Sequence, residues 1–271
     1  MITLIPTPIG NPQDITVRAM RLFERAEMFL CEDTRHTKKL LRLLHTRYGM
    51  HAVSAPLYSF HEHNSAQRIE AMEDALRHQE VVFVSDAGMP AISDPGQQLV
   101  RWAQEHAVPY DVLPGATAVT TAYAASGFAA GVFLFFGFLP HHGKERTARI
   151  DEVLGCGYDA ILYEAPHRLE KLLAVLASRA PDREIFAAKE LTKRYQRYYR
   201  GRADQVHAQI TAETIRGEWV VIIHGKKSTT KSLTFDALMR CDLPPKSKAK
   251  LLAAVSDRSV KAWYATLIEH S

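Results

Sequence analysis

The sequence predicts an α/β protein of two αβα domains with mainly parallel sheets, followed by a small C-terminal helical extension. Three observations carry that expectation. Short β-rich stretches alternate with amphipathic ones for most of the chain, the pattern of a parallel sheet covered by helices. The strand candidates number about ten or eleven, more than most single sheets hold. Near the end the alternation stops, and a polar stretch without apolar period leads into purely helical spacing.

The first strand candidate is Ile2–Ile5, with a helix after Asp14; the second is Met28–Cys31, with a helix after Asp33. Further candidates are Pro56–Phe60, Val81–Ser85, Tyr110–Leu113 and Phe133–Phe138, then Tyr158–Tyr163, Glu184–Ala188, Gln196–Arg200 and Trp219–His224. A division near Pro114–Ala116 gives an N-terminal domain over 1–114 and a second over 115–225. The stretch "KKSTTKS" reads as a linker over 226–232, and 233–271 as the helical extension. There Leu251, Leu252 and Val255, then Val260, Trp263, Tyr264 and Leu267, mark two helices, with Asp257 as a cap between them.

With 271 residues, 46% hydrophobic and 24% charged, the chain has ordinary globular composition and enough length for one large or two modest domains. Its longest uncharged apolar run, Gly131–Leu139, is far short of the roughly 20 residues of a membrane helix. The first residues lack a basic segment followed by a long apolar one. These features predict a soluble cytoplasmic protein with no membrane partner. Cys31, Cys156 and Cys241 lie far apart with no Cys-x-x-Cys pair, which predicts a reducing compartment and neither a disulfide framework nor a cysteine zinc site. A net charge of +4 is mild, so its distribution matters more than its size.

Three strands of the first half end in similar chemistry. "PTPIGN" follows the first, "SDAGMPAISDPG" (Ser85–Gly96) the fourth and "LPGATAV" (Leu113–Val119) the fifth. In open αβ sheets ligands bind outside the carboxyl ends of strands. Small residues there leave room and expose backbone amides, while proline fixes the loop in advance and lowers the ordering cost of binding. No G-x-G-x-x-G follows the first strand, and "HGKKS" at His224–Ser228 has Val220 where a phosphate loop needs glycine. The expected ligand therefore carries no phosphate that the protein must cradle.

Cations cluster in three places. "TRHTKKLLRLLHTR" sets Arg35, Lys38, Lys39 and Arg42 at helical spacing opposite Leu40, Leu41 and Leu44, which reads as a solvated charged face. "KRYQRYYRGR", Lys193–Arg202, interleaves its cations with Tyr195, Tyr198 and Tyr199, the pairing of phosphate contact with base stacking that single-stranded RNA recognition uses. Lys246, Lys248 and Lys250 open the helical extension. The histidines of "HEHN" (His61–Asn64) and the pair His141–His142 lack a further ligand pattern, and no metal is expected.

In order along the chain, "PTPIGNPQDITVRA", "CEDTRHTKKLL", "SDAGMPAISDPG", "LPGATA", "FGFLP", "YEAPHRL" and "KELTK" resemble the motifs of the tetrapyrrole methylase superfamily, and most closely its ribosomal branch. The resemblance runs from Ile2 to Gly225, and the helical extension resembles that branch's own. It implies a homodimeric class III methyltransferase with S-adenosylmethionine in a cleft between two domains. It also implies 2′-O-ribose methylation of a cytidine in 16S small-subunit ribosomal RNA, with the RNA or the 30S subunit as partner. Carried over residue by residue, the cofactor lies against Pro8, Ser85, Asp86, Ala87, Gly88, Ile92, Ser93, Ala116 and Thr117, and against Tyr163, Ala165 and Ala188 of the second domain. Met89, Ala91, the Ala116–Thr117 pair and Gln196 depart from the branch's usual residues.

Methyl transfer to a ribose hydroxyl is an in-line displacement that needs alignment and a general base. Carboxylates and lysines at strand ends facing the expected cleft are Glu32, Asp33, Glu164, Lys189 and Glu190. We expect Glu190 or Asp33 to assist deprotonation while Arg35 and Lys193 hold the ribose-phosphate. The competing structural roles are a helix cap for Asp33, turn-holding for Asp86 and Asp94, and an ion pair for Glu190 with Lys193. Two rival functions are methylation of a tetrapyrrole carbon and non-catalytic RNA binding.

Overall fold

Strand β1 (Ile2–Leu4) lies buried at the heart of the first sheet. Helix α1 (Val17–Arg25) follows it after a 3-10 turn at Pro12–Asp14. Asn11 opens that turn by accepting the Gln13 amide, and Thr16 caps α1 by accepting the amide of Ala19 at 3.0 Å. Next come β2 (Met28–Cys31), α2 (Thr34–Tyr48), β3 (Leu57–Ser59), the short helices α3 (Ser65–Ala71) and α4 (Glu73–His78), and β4 (Val81–Val84). Helix α5 (Gly96–Glu105) and β5 (Tyr110–Val112) complete the sheet, whose order is β3-β2-β4-β1-β5 with every pair parallel.

Helix α6 (Ala118–Ser126) leads to the second sheet. This holds β6 (Phe133–Phe138), α7 (Gly143–Gly155), β7 (Asp159–Glu164), α8 (Pro166–Arg179), β8 (Glu184–Lys189), β9 (Arg197–Arg202), α9 (Ala203–Thr211) and β10 (Trp219–Ile223). Its order is β6-β7-β10-β8-β9. Only β6 and β7 run parallel; β10 is antiparallel to both neighbours, and β9 to β8. Parallel pairing thus prevails over the molecule, as expected, while the second sheet is mixed. Alternation of strands and helices does not encode strand direction, because a crossover can return a strand beside either neighbour.

The structure, a computed structural model, describes residues 1–129, 131–226 and 235–269. Most of the expected linker, 227–232, lies outside them. By contacts the chain forms two units, Met1–Lys226 and Lys227–Ser271. In the first unit each sheet carries a hydrophobic cluster on both faces. Phe23, Phe29, Phe60 and Phe83 are buried in the first sheet's clusters, each contributing about 1.5–3 kcal/mol relative to exposure. Two buried carboxylates brace β7 instead. Asp159 at its start accepts from His224 Nδ1 at 2.7 Å, the Gly225 amide at 2.7 Å and the Tyr123 hydroxyl at 2.9 Å. Glu164 at its end binds Arg146 at 2.7 Å and Arg168 at 2.6 Å.

Among its described residues the second unit has three helices, α10 (Phe235–Arg240), α11 (Pro245–Ala254) and α12 (Val260–Glu269), one more than the spacing predicts. Its core is Leu238, Ala249, Leu252 and Trp263, while Leu251, Val255, Val260 and Tyr264 are exposed. The cap between helices is Ser259, whose hydroxyl accepts the Ala262 amide at 3.2 Å, and not Asp257. Serine directly precedes the first helical residue, where a side-chain oxygen reaches the orphan amides. No described helix is long and apolar enough to cross a membrane.

Candidate active site

Because β4, β1 and β5 are adjacent and parallel, the three small-residue loops emerge side by side. Thr7 and Gly88 exchange both backbone hydrogen bonds at 3.0 Å, stitching the first loop to the second. Gly88 sits at φ 83°, and a Cβ there would lie 3.1 Å from Ile9, so the closeness of these loops requires glycine. Pro6 packs so tightly on Gly115 that a Cβ would stand 2.7 Å from its ring. Asp94 holds the second loop, accepting the Ala91 amide at 2.9 Å and the Gly96 amide at 2.9 Å, and thereby fixes Ala91 at φ 66°. The turn-holding role considered for Asp94 is the one it has. Asp86 instead reaches across to the β2–α2 junction, accepting from the Asp33 amide at 3.1 Å and bonding His36 Nδ1 at 2.9 Å.

These loops and the rim of the second sheet enclose a cavity of about 510 Å³. Nine of the twelve residues expected at a cofactor line it: the Ser85–Gly88 turn, Ile92 and Ser93, Thr117, and Tyr163 with Ala165. Burial pushes the Tyr163 hydroxyl up to about 12. The structure does not bring Pro8, Ala116 or Ala188 to the wall. Pro8 precedes Ile9, which does line the cavity; Ala116 packs against the core behind Gly88; Ala188 is fully buried in β8. Val220 of β10, paired with Ala188 on one side and Tyr163 on the other, takes the place expected for Ala188.

Glu218, Trp219 and Val220 reach the wall only because β10 enters the sheet antiparallel, so that its first residues meet the last of β7. Sequence reasoning missed them for that reason. Phe138, at the end of β6, carries a readable signal, since a strand ending beside β7 ends at the same rim.

The expected catalytic residues fall into two pairs, neither of which lines the cavity. Asp33 caps α2, accepting the Arg35 amide at 2.7 Å, and forks onto the Arg35 guanidinium at 2.6 Å, which holds its carboxyl well below the usual range. Arg35 is otherwise exposed. Glu190 accepts from Lys193 Nζ at 2.9 Å and from the Glu218 amide at 2.9 Å, and Lys193 also meets Glu218 at 3.0 Å. Burial would push the Glu190 carboxyl up, but Lys193 and the Glu218 amide outweigh it and hold it down. Gln196, one of the atypical residues, steadies the same turn by accepting the Thr192 amide at 2.6 Å.

Of the other candidate bases, Glu164 has both oxygens bound to arginines, the buried Arg168 and the half-buried Arg146, and Lys189 sits 5.5 Å above the Trp219 ring. Glu32 is different. It lines the cavity, and among the described residues its carboxylate bonds only the Asp86 amide, at 3.1 Å. Burial pushes its carboxyl up, with the charges of Asp86 and Asp94 adding to the effect and the Asp86 amide offsetting part of it. Among the described residues the wall carries five carboxylates (Glu32, Asp86, Asp94, Glu164 and Glu218) and no lysine, arginine or histidine.

Fold and cavity together define a two-sheet αβ protein with an acidic cavity at the carboxyl ends of adjacent parallel strands. Residues 1–207 match the family model described as Tetrapyrrole (Corrin/Porphyrin) Methylases; the chain belongs to that family and is a methyltransferase. It is 44% identical over 277 residues to a protein of Helicobacter pylori called Ribosomal RNA small subunit methyltransferase I, covering 97% of this chain and 96% of that one. A protein of the same name from Campylobacter fetus is 39% identical, covering 99% of this chain and all of the relative. Among solved structures, a Thermus thermophilus uroporphyrin-III C-methyltransferase complexed with S-adenyl homocysteine shares the fold at TM-score 0.55 and 17% identity, over 82% of this chain and 96% of that one.

Proposed function

We propose that the protein transfers a methyl group from S-adenosylmethionine to the 2′-hydroxyl of a cytidine ribose in 16S small-subunit ribosomal RNA, acting as a homodimer. The observation that carries this reading is the acidic, cation-free cavity wall. It suits a sulfonium donor, which is positively charged and has no phosphate, and it is unsuited to a nucleotide cofactor. Ile9, Ile92, Phe138 and Trp219 offer apolar surface for an adenine ring, and the Ser85–Gly88 backbone offers polar groups beside it. The names of the relatives support ribosomal RNA as the acceptor.

When bound, the cofactor supplies an electrophilic methyl. The protein's task is to hold the acceptor oxygen in line and to take its proton. We assign the second role to Glu32, a wall carboxylate that has no ion pair among the described residues, that unlike Asp94 is not tied up in holding a turn, and whose raised pKa brings it nearer the range of an effective general base. Asp33 and Arg35 then act as positioning residues that fix the start of α2 beside Glu32. Glu190 and Lys193 do the same for Glu218.

The test is methyl transfer from labelled S-adenosylmethionine to small ribosomal subunits from cells lacking the protein, followed by nuclease mapping. Label recovered in 2′-O-methylcytidine is the expected result. Label absent from RNA but present in a precorrin or uroporphyrinogen would move the acceptor to the tetrapyrroles. Sedimentation of the purified chain, with a mass twice that of one copy, checks the dimer.

A further inference from the structure

Of the three basic clusters, two flank the first unit's cavity-bearing sheets, one on β9 and one on α2, and the structure treats them oppositely. On β9, every arginine has an acidic partner: Arg197 with Glu213 at 2.7 Å, Arg200 with Glu184 at 2.8 Å, and Arg202 with Asp182 at 2.8 Å and Asp204 at 2.9 Å. Arg200 also stacks 5.1 Å from the Phe128 ring, and Tyr199 is buried against Trp219. The strand part of the RNA-reading stretch expected from sequence is thus neutralised within its own fold, while Arg194, just before it, lies over the Tyr195 ring at 5.5 Å. On α2, Lys38, Lys39 and Arg42 are exposed, and none makes an ion pair or side-chain hydrogen bond among the described residues. Thr37, Leu41 and Leu44 bury the opposite face, so the helix cannot turn its cations inward.

Helix α2 also begins where the cavity ends. Thr34 lies two residues beyond Glu32, and Asp86 on the wall is bonded to both the Asp33 amide and His36. The wall disfavours phosphates, since no lysine, arginine or histidine lines it and two of its carboxylates, Glu32 and Asp94, have no ion pair among the described residues. A nucleotide whose ribose enters the cavity must therefore keep its phosphates outside, against positive charge. The unpaired cations of α2, set about 6 Å apart at i,i+4 spacing, supply it next to the rim.

We infer that the Lys38–Lys39–Arg42 face of α2, and not β9, is the docking surface for the sugar-phosphate backbone of single-stranded RNA flanking the reacting ribose. This rests on the functional reading above, and it has its own test. Lys38→Ala/Lys39→Ala/Arg42→Ala keeps helix propensity and touches nothing buried. Binding of a fluorescent single-stranded RNA by anisotropy across a salt series should weaken on the order of tenfold at about 0.15 M salt, with the log–log salt slope reduced by about 2 for three lost phosphate contacts. Lys38→Arg/Lys39→Arg/Arg42→Lys should bind like the wild type. Arg197→Ala/Arg200→Ala/Arg202→Ala on β9 should change affinity less than twofold. Calorimetric binding of S-adenosylmethionine should be the same in all four proteins.

Equal RNA affinity and salt slope in the wild type and the α2 alanine variant would overturn the inference, as would a larger loss from the β9 variant. A wild type that binds the RNA with the predicted salt slope but methylates no ribosomal RNA would sink the functional reading and leave the docking surface standing.

Discussion

The two halves of the cavity wall are built by different rules. The first sheet is wholly parallel, and its adjacent strands β4, β1 and β5 deliver three small-residue loops to one edge, each at its strand's carboxyl end. The second sheet reaches the same rim with two strand ends and one strand beginning, because β10 runs against its neighbours. The loop half binds through backbone fixed by glycine, proline and Asp94, while the strand half is fixed by side chains, above all Glu164 between its two arginines.

Glu32, on the loop half, sets the sharpest test. Glu32→Gln should lower the methylation rate by about 10²–10⁴ with cofactor affinity retained, which single-turnover kinetics and calorimetry would separate. The wild-type rate should fall as pH drops through a pKa above the ordinary carboxylate value of 4.5, and that limb should vanish in the variant. A variant keeping both rate and limb would remove Glu32 from the chemistry. The strand half is probed by Glu164→Ala, which strands Arg146 and Arg168 without their counter-charge. Loss of stability by about 3–5 kcal/mol in denaturant titration is expected, and replacing all three by apolar residues should recover much of it.

Smaller effects compare the halves further. Gly88→Ala places a side chain at φ 83° and against Ile9, so it should cost about 1–2 kcal/mol in stability and weaken cofactor binding. The same substitution at Gly155, which has open space and an ordinary φ, should do neither. The smallest effect concerns pH. The folded pKa of Glu32 is raised, so its contribution to stability is full below the unfolded value and is lost as pH rises through the folded one. Glu32→Gln removes that loss, and its melting temperature at neutral pH should be slightly above that of the wild type, the opposite of its effect on rate.

The legible parts were those where local chemistry and topology coincide. The small-residue loops after β1, β4 and β5 stood out by composition, and every one of them reaches the wall. Trp219 and Glu218 did not stand out, since only strand direction brings them there. The charged candidates were harder still. Asp33, Glu190 and the β9 arginines lie near the right places, but whether a charge is free depends on partners such as Arg35, Lys193 and Glu213, two to sixteen residues away and held there by the fold. The unusual residues Ala91 and Gln196 turned out to hold loops, Ala91 in a left-handed conformation tied by Asp94 and Gln196 through the Thr192 amide.

The placement of β10 has a consequence for synthesis on the ribosome. The central strand of the second sheet is the last of that sheet to be made. Until Trp219–Ile223 emerges, β7 and β8 each present an open edge of apolar sequence, Ile161, Leu162, Ile185 and Phe186 among it, and open edges of this kind invite pairing with other chains. The first sheet has no such wait beyond β5. The nascent chain therefore passes through a stage in which one half is complete and the other is a template lacking its middle, and chaperone demand should peak there.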